Sequence, residues 1–243
     1  MAPDGGILVT GASRGIGAAI AVELAARGQI VGCLSRSGAL PEGADPKRLI
    51  ALTCDVTDFA AGRAAVSEFA QRAGGIAGLV NNAGSHPENT PAAELAPGDL
   101  LRVFEANCAA PLALAQAARP YLAEANGTIV GIGSFFDKLG APRSLAYSAS
   151  KAALASIDRT LAVEWGRDGI SVFTVAPGYV LTDLNADWLA SSDVRAKVER
   201  RIPAGRVAGA GEIGRLVAAL LLEDIGFLTG ETIYVDGGQG VRV

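Results

Sequence analysis

The sequence predicts an α/β fold, a doubly wound parallel sheet of about seven strands with helices on both faces. Three observations predict it. Short apolar runs recur along the chain, longer stretches with helical spacing separate them, and a glycine-rich turn joins the first run to the first helix. Strand, helix, strand in repetition implies parallel pairing through right-handed crossovers.

The apolar runs are ILVT (7–10), IVGCL (30–34), LIALT (49–53), GLV (78–80), TIVGI (128–132), ISVFTV (170–175) and TIYV (232–235), each short enough for a buried strand. Between the first two, Ile16, Ile20 and Leu24 recur every four residues, the apolar stripe of a helix. Leu154, Ile157, Leu161 and Trp165 repeat the pattern, and Gly169 stands where that helix stops. The segment 97–125 is too long for one plain helix; Pro111, which has no N–H to donate, should kink or divide it. No linker or low-complexity tract interrupts the series, so residues 1–243 are expected to form a single domain. The longest break follows Pro177. Ligands of open α/β sheets bind beyond the carboxyl ends of the strands, so 178–206 reads as a substrate lid, with a surface insertion as the alternative.

Bulk properties exclude several functions. The chain has 243 residues, half of them apolar, with 31 glycines and 5% aromatics. A domain of that length buries about three-quarters of its unfolded surface. Net charge is −4 and the isoelectric point about 5.1, which argues against nucleic acid as a partner because phosphate binding needs a basic face. Cys33, Cys54 and Cys108 are odd in number and lack metal-ligand spacing, so they read as reduced thiols in a cytoplasmic protein, with no metal site. The N-terminal residues have no basic segment followed by a long apolar one, and the longest uncharged stretch in the helical middle, 106–118, is too short and polar to span a bilayer.

TGASRGIG (10–17) follows the first strand and opens the first helix. Its glycines, Gly11, Gly15 and Gly17, let backbone approach a ligand closely, and the helix start behind them attracts anions. A tight structural turn would use the same residues. In dinucleotide-binding sheets an acid ending the second strand holds the adenosine ribose. This strand ends CLSRSG, offering Ser35 and Arg36 instead. A guanidinium there suits a 2′-phosphate, with Arg14 as a second positive charge, so NADP(H) is expected over NAD(H); a solvated loop charge is the alternative for Arg36. YSASK (147–151) sets Tyr147 and Lys151 one helical turn apart. Alone, such a pair is most often a solvated helix face.

Together, TGASRGIG (10–17), CDV (54–56), NNAG (81–84), Asn107, Ser134, YSASK (147–151), PG (177–178) with Thr182, and VDGG (235–238) resemble the short-chain dehydrogenase/reductase family along essentially the whole chain, in order and spacing. The resemblance implies a Rossmann-type domain and a tetrad of Asn107, Ser134, Tyr147 and Lys151. Tyr147 would protonate the oxygen of a carbonyl receiving hydride, Lys151 would lower the phenol's pKa by about 1–3 units and bind the nicotinamide ribose, Ser134 would bond the substrate oxygen, and Asn107 would hold a water that replenishes the proton. It also implies a cofactor site of Gly11, Ser13, Arg14, Gly15, Ile16 and Gly17, then Ser35, Arg36, Asp55, Val56, Asn81, Ala83 and Gly84, closed by Pro177, Gly178, Val180 and Thr182.

The substrate is less defined. IPAGRVAGAGEIG (202–214) and LTGETIYVDGG (228–238) resemble 3-oxoacyl-thioester reductases within the family, but EANGTIV (124–130) lacks the basic residue such carrier-dependent enzymes tend to have, and only Arg167 resembles a docking arginine. Phe135 and Phe136, with Tyr179, Leu184, Trp188 and Leu189, are expected to make an apolar pocket or to be packing residues. The expected reaction is NADPH-dependent reduction of a ketone or 3-oxoacyl carbonyl, the substrate a small carbonyl or alcohol and possibly an acyl thioester. An NAD(P)-linked alcohol, polyol or hydroxysteroid dehydrogenase, or a catalytically silent NADP-binding regulator, are the alternatives. The only histidine, His86, reads as a loop residue near the cleft. DVRAKVERR (193–201) reads as a solvated helix face rather than a carrier-docking one. The family's members imply a homotetramer or dimer, for which EIGRLVAALLL (212–222) is apolar enough to be interface or core.

Overall fold

The computed structural model describes residues 5–87, 89–183, 185–223 and 225–241. All seven expected strands are present: β1 (Gly6–Thr10), β2 (Val31–Ser35), β3 (Leu49–Thr53), β4 (Ile76–Asn81), β5 (Thr128–Ile132), β6 (Ser171–Pro177) and, last in the chain, β9 (Thr232–Val235). They form one parallel sheet in the order β3-β2-β1-β4-β5-β6-β9. Chain order reverses between β1 and β4, so a crevice opens above their carboxyl ends.

Strand alternation divides the core into two layers. On β1, Ile7 and Val9 face one side, joining α1 (Gly15–Ala26) and α8 (Ala210–Leu222) through Ile20, Leu24, Ile213 and Val217. Leu8 faces the other, where α2 (Phe59–Ala73), α4 (Ala110–Ala125) and α5 (Leu145–Trp165) contribute Phe69, Leu122 and Leu161. In the first of these layers Ile213, Val217, Ala218, Leu220 and Leu221 of α8 are buried, so that face of the apolar segment 212–222 is core. Among the described residues no helix is long and apolar enough to cross a membrane.

The segment 97–125 is divided, as Pro111 predicts. Helix α3 (Pro97–Phe104) passes into a π-helical turn, Glu105–Ala109, before α4 begins with Pro111 in its first turn. The Ala110 N–H bonds the Glu105 carbonyl, five residues back. Pro111 can offer no N–H to the Asn107 carbonyl, four residues back.

After β6 the chain leaves the sheet and returns. β7 (Val180–Leu181) pairs in parallel with β8 (Ala208–Gly209), and between them lie α6 (Ala186–Ala190) and α7 (Ser192–Glu199). Leu189, Val198, Ile202 and Val207, with Tyr179, give this excursion a small core of its own.

Candidate active site

Helix α1 starts at the crevice with no side-chain cap and no acidic residue in its first turn; Arg14, in extended backbone, occupies the cap position. Its first N–H groups and the positive end of its dipole are therefore available to an anion. The turn before it is crowded. A Cβ on Gly17 would lie 2.3 Å from the Gly11 carbonyl oxygen, and Gly15, with φ +60°, would carry one 3.6 Å from Thr182. The glycine turn thus faces Thr182 across the cleft, while Ser13 and Ile16 are half-buried beside it.

Arg36 is exposed just beyond β2, and its guanidinium has no ion-pair partner among the described residues. Ser35 is buried, its hydroxyl 3.4 Å from that of Ser37. Asp55 accepts the N–H and hydroxyl of Thr57 at 3.0 and 2.8 Å. Those bonds hold its carboxyl below the ordinary value, with a smaller contribution from Arg36, and Val56 lies half-buried next to it. An uncapped helix start, a free guanidinium and no acid at the end of β2 fit a dinucleotide with a 2′-phosphate.

The NNAG segment behaves differently from its expected role at one position. Asn81 is buried, and its amide donates to the Pro111 carbonyl at 3.2 Å. It ties β4 to α4 rather than lining the cleft with its side chain. The residue that grips the glycine turn is Asn82, which sequence reasoning missed. Its Nδ2 donates to the Thr10 and Gly11 carbonyls at 2.8 and 3.3 Å. The Thr10 hydroxyl in turn accepts the N–H groups of Asn82 and Ala83, both at 2.9 Å. Ala83 and Gly84 then follow at the crevice.

The four tetrad residues converge. Ser134 follows the end of β5, where its hydroxyl accepts the Phe136 N–H at 3.3 Å and lies near enough to the Tyr147 phenol to favour its ionised form. Tyr147 is in the first turn of α5, half-buried. Lys151, one turn on, is buried and donates to the Ile132 carbonyl at 2.6 Å, with Nζ 5.6 Å from the Tyr147 ring centroid. Asn107, on the π turn, spends its whole side chain on protein: Oδ1 accepts the Ser85 N–H at 2.7 Å, and Nδ2 donates to the Ser85 carbonyl and Ser150 hydroxyl, both at 2.9 Å.

One electrostatic expectation is corrected. Lys151 was expected to pull the tyrosine down, but burial pushes the Tyr147 phenol up, and the opposing contribution comes from Ser134. The ammonium sits over the ring at 5.6 Å from its centroid and is occupied by the Ile132 carbonyl. Burial also lowers Lys151, to about 8.

The expected pocket residues meet above the tetrad. Phe135 and Phe136 stack at 4.3 Å, Tyr179 packs edge-on to them at 5.5 and 6.3 Å, and Trp188 stacks on Tyr179 at 6.1 Å. Leu189 belongs to the small core instead, and Leu184 lies outside the described residues. Pro177 ends β6, and the Gly178 N–H bonds the Val235 carbonyl at 3.0 Å. Val180 is buried, and Asn185, also missed by sequence, clasps both its carbonyl (2.8 Å) and the Thr182 N–H (2.9 Å).

Comparison with known proteins agrees with this arrangement. The family model for Enoyl-(Acyl carrier protein) reductase matches residues 11–239. The chain is 37% identical over 239 residues to the 3-oxoacyl-[acyl-carrier-protein] reductase FabG of Escherichia coli, covering 96% of each chain. It is 36% identical over 241 residues to the cis-4-hydroxycyclohexanecarboxylate dehydrogenase of Sinomonas cyclohexanicum, covering 95% of this chain and 94% of the relative. Among solved structures, a gluconate 5-dehydrogenase from Burkholderia cenocepacia in complex with NADP and tartrate superposes with a TM-score of 0.87 at 28% identity, covering 98% of this chain and 95% of that one. By that family match and that identity, the chain belongs to the short-chain dehydrogenase/reductase family of oxidoreductases acting on CH–OH and C=O groups.

Proposed function

We propose that the protein is an NADPH-dependent reductase of ketones, converting the carbonyl to a secondary alcohol. The observation that carries this reading is the convergence of the Ser134 and Tyr147 hydroxyls beside buried Lys151, at the mouth of a cleft whose other end fits a dinucleotide phosphate. The FabG relative, the gluconate 5-dehydrogenase and its bound NADP support both the reaction class and the cofactor.

NADPH would supply the hydride. As it adds to the carbonyl carbon, the π pair moves to oxygen, and the chain's task is to stabilise that charge and deliver a proton. Ser134 donates a hydrogen bond to the oxygen. Tyr147 transfers its hydroxyl proton to it. Because burial raises the phenol, the proton is retained at neutral pH until an alkoxide begins to form. Lys151 places a positive charge one helical turn from the reacting phenol. Both Asn107 amide hydrogens and one bond to its oxygen are spent on Ser85 and Ser150, and its main-chain carbonyl, which Pro111 cannot bond, would hold a proton-relay water.

The excursion 178–206 acts as the lid, pinned at its ends by β7 and β8 and facing the site with Tyr179 and Trp188. Ketones of modest size, with 3-oxoacyl thioesters among them, fill the space beneath it. The test is NADPH oxidation with a panel of ketones and 3-oxoacyl thioesters, by wild type and Tyr147→Phe. The variant should bind NADPH normally and lose about 10²–10⁴-fold in turnover; undiminished turnover removes the tyrosine from the mechanism.

A further inference from the structure

His86 lies against the reacting phenol: its ring is 4.5 Å from that of Tyr147, centroid to centroid, at a tilt of 50°. Two straps fix it there. Asn107 grips both main-chain groups of the preceding residue, Ser85. Further along the same loop, the Thr90 N–H donates to the Arg143 carbonyl at 3.1 Å. An imidazole is therefore held over one flank of the tyrosine by the Asn107 side chain on the π turn and the Arg143 carbonyl before α5.

Arg143 is the second feature of that flank. It stands four residues before Tyr147, exposed, with φ +64°. Such backbone is uncommon for a residue with a side chain, persists only where surroundings impose it, and concentrates at ligand-handling sites. Pro87, Thr90, Arg143 and Tyr147 line one small cavity. The Arg143 guanidinium has no ion-pair partner among the described residues.

The opposite flank has a different chemistry. Phe136, Tyr179 and Trp188 form an aromatic wall backed by the buried Phe135. The acid at its foot, Asp137, is engaged by the Tyr234 hydroxyl at 3.0 Å to both oxygens. A substrate carbonyl seated on Ser134 and Tyr147 thus has the aromatic residues that follow Ser134 near it, the His86 ring beside Tyr147, and Arg143 on the cavity that Tyr147 also lines.

We propose that His86 and Arg143 are specificity-determining residues that recognise a carboxylate on the substrate, and that the preferred substrate is a ring ketone bearing that carboxylate. The proposal rests on the reductase reading and narrows its substrate. The ring lies along the aromatic wall. The imidazole N–H and the guanidinium fork donate to the carboxylate, the strong, geometrically selective form of hydrogen bond. An unbranched acyl thioester presents neither the ring nor the charge.

The experiment compares 4-oxocyclohexanecarboxylate with its methyl ester, equal in shape at the ketone but uncharged, as substrates with NADPH. Wild type, His86→Gln and Arg143→Gly are assayed; glycine accepts the backbone at 143, so that variant carries the test if the histidine variant does not fold. Melting temperature and NADPH fluorescence establish folding. Wild type is expected to prefer the carboxylate by about tenfold or more in kcat/KM, the size of one charge-assisted bond. Each variant should reduce that preference several-fold, through KM for the acid. Equal use of acid and ester, or variants that depress both alike, overturns the proposal. Turnover of 3-oxoacyl thioesters with neither ring ketone consumed also overturns it while leaving the reductase reading intact; NADPH oxidation with no carbonyl at all removes the reductase reading itself.

Discussion

Lys151 donates its ammonium to the carbonyl of Ile132 at 2.6 Å, from a position where almost none of it meets water. Burial lowers its pKa from the ordinary 10.5 to about 8. A depressed amine is charged below that value and neutral above it, so the cation beside Tyr147 disappears as pH rises through about 8. The tyrosine, raised by burial, keeps its proton across the same interval. The kcat/KM for carbonyl reduction is therefore expected to be flat on the acid side and to fall above pH of about 8. Lys151→Arg, whose guanidinium stays charged, should be slower but lose that alkaline fall. An unchanged alkaline limb in the arginine variant assigns it to another group.

The cofactor end makes a separate prediction. Arg36 stands beyond β2, whose end carries no acid, and has no ion-pair partner among the described residues. Arg36→Asp replaces a phosphate-binding fork with a charge that repels phosphate and accepts a ribose hydroxyl. The ratio of kcat/KM for NADPH over NADH should fall by about 10–100-fold or more, the loss of one charged hydrogen-bonded pair. A wild type that prefers NADH contradicts the reading outright.

Asn107 gives a third. Three hydrogen bonds between 2.7 and 2.9 Å join its amide to Ser85 and Ser150. Asn107→Ala removes all three; Ser85 is exposed to water and the Ser150 hydroxyl keeps its bond to the Tyr147 carbonyl at 2.7 Å, so the cost is that of lost hydrogen bonds, about 1 kcal/mol each. Melting temperature should drop by several degrees and turnover should fall, because the loop holding His86 loosens. If turnover is lost while the melting temperature stays, the residue acts on the proton path alone.

Much of this was legible in the chain because local features carried it. Seven short apolar runs became seven strands, and the glycine turn, Ser134, Tyr147 and Lys151 came together as the family spacing implies. What escaped notice depended on distance in sequence. Asn82 and Thr10 are 72 residues apart and meet only because β1 and β4 are neighbours. His86 and Tyr147 meet because Asn107 pins their loop. Pro111 announced a break in 97–125, but the form of that break, a π turn, reflects packing on α5, where the Cys108 thiol bonds the Ser150 carbonyl at 3.3 Å. The direction of the tyrosine shift was missed for a related reason: spacing reveals a neighbouring charge, whereas desolvation is a property of the finished fold.

Asp158 was also unmarked in the sequence, and it supplies the clearest stability test. It lies on α5 two turns beyond Lys151, 3% exposed, and accepts the Thr174 hydroxyl at 2.7 Å. Gly131 leaves it room; a Cβ there would overlap its carboxylate. Burial pushes the carboxyl up to about 7, against smaller downward contributions from Thr174, Lys151 and Arg159. An unfolded aspartate titrates near ~3.9, so between the two values the folded state binds the extra proton. Its contribution to stability is complete below the unfolded pKa and is lost as pH rises through about 7. Asp158→Asn stays neutral and still accepts the threonine hydroxyl. It should be more stable than wild type at alkaline pH, with the gap closing as the medium is acidified toward the unfolded pKa. At roughly 2–4 °C per kcal/mol for a chain of this size, the gap is measurable by thermal melting. Comparing the two proteins isolates this one group from the other carboxylates. A variant that is less stable than wild type at alkaline pH, with a gap that widens there, means that Asp158 is charged in the fold and stabilising as an anion.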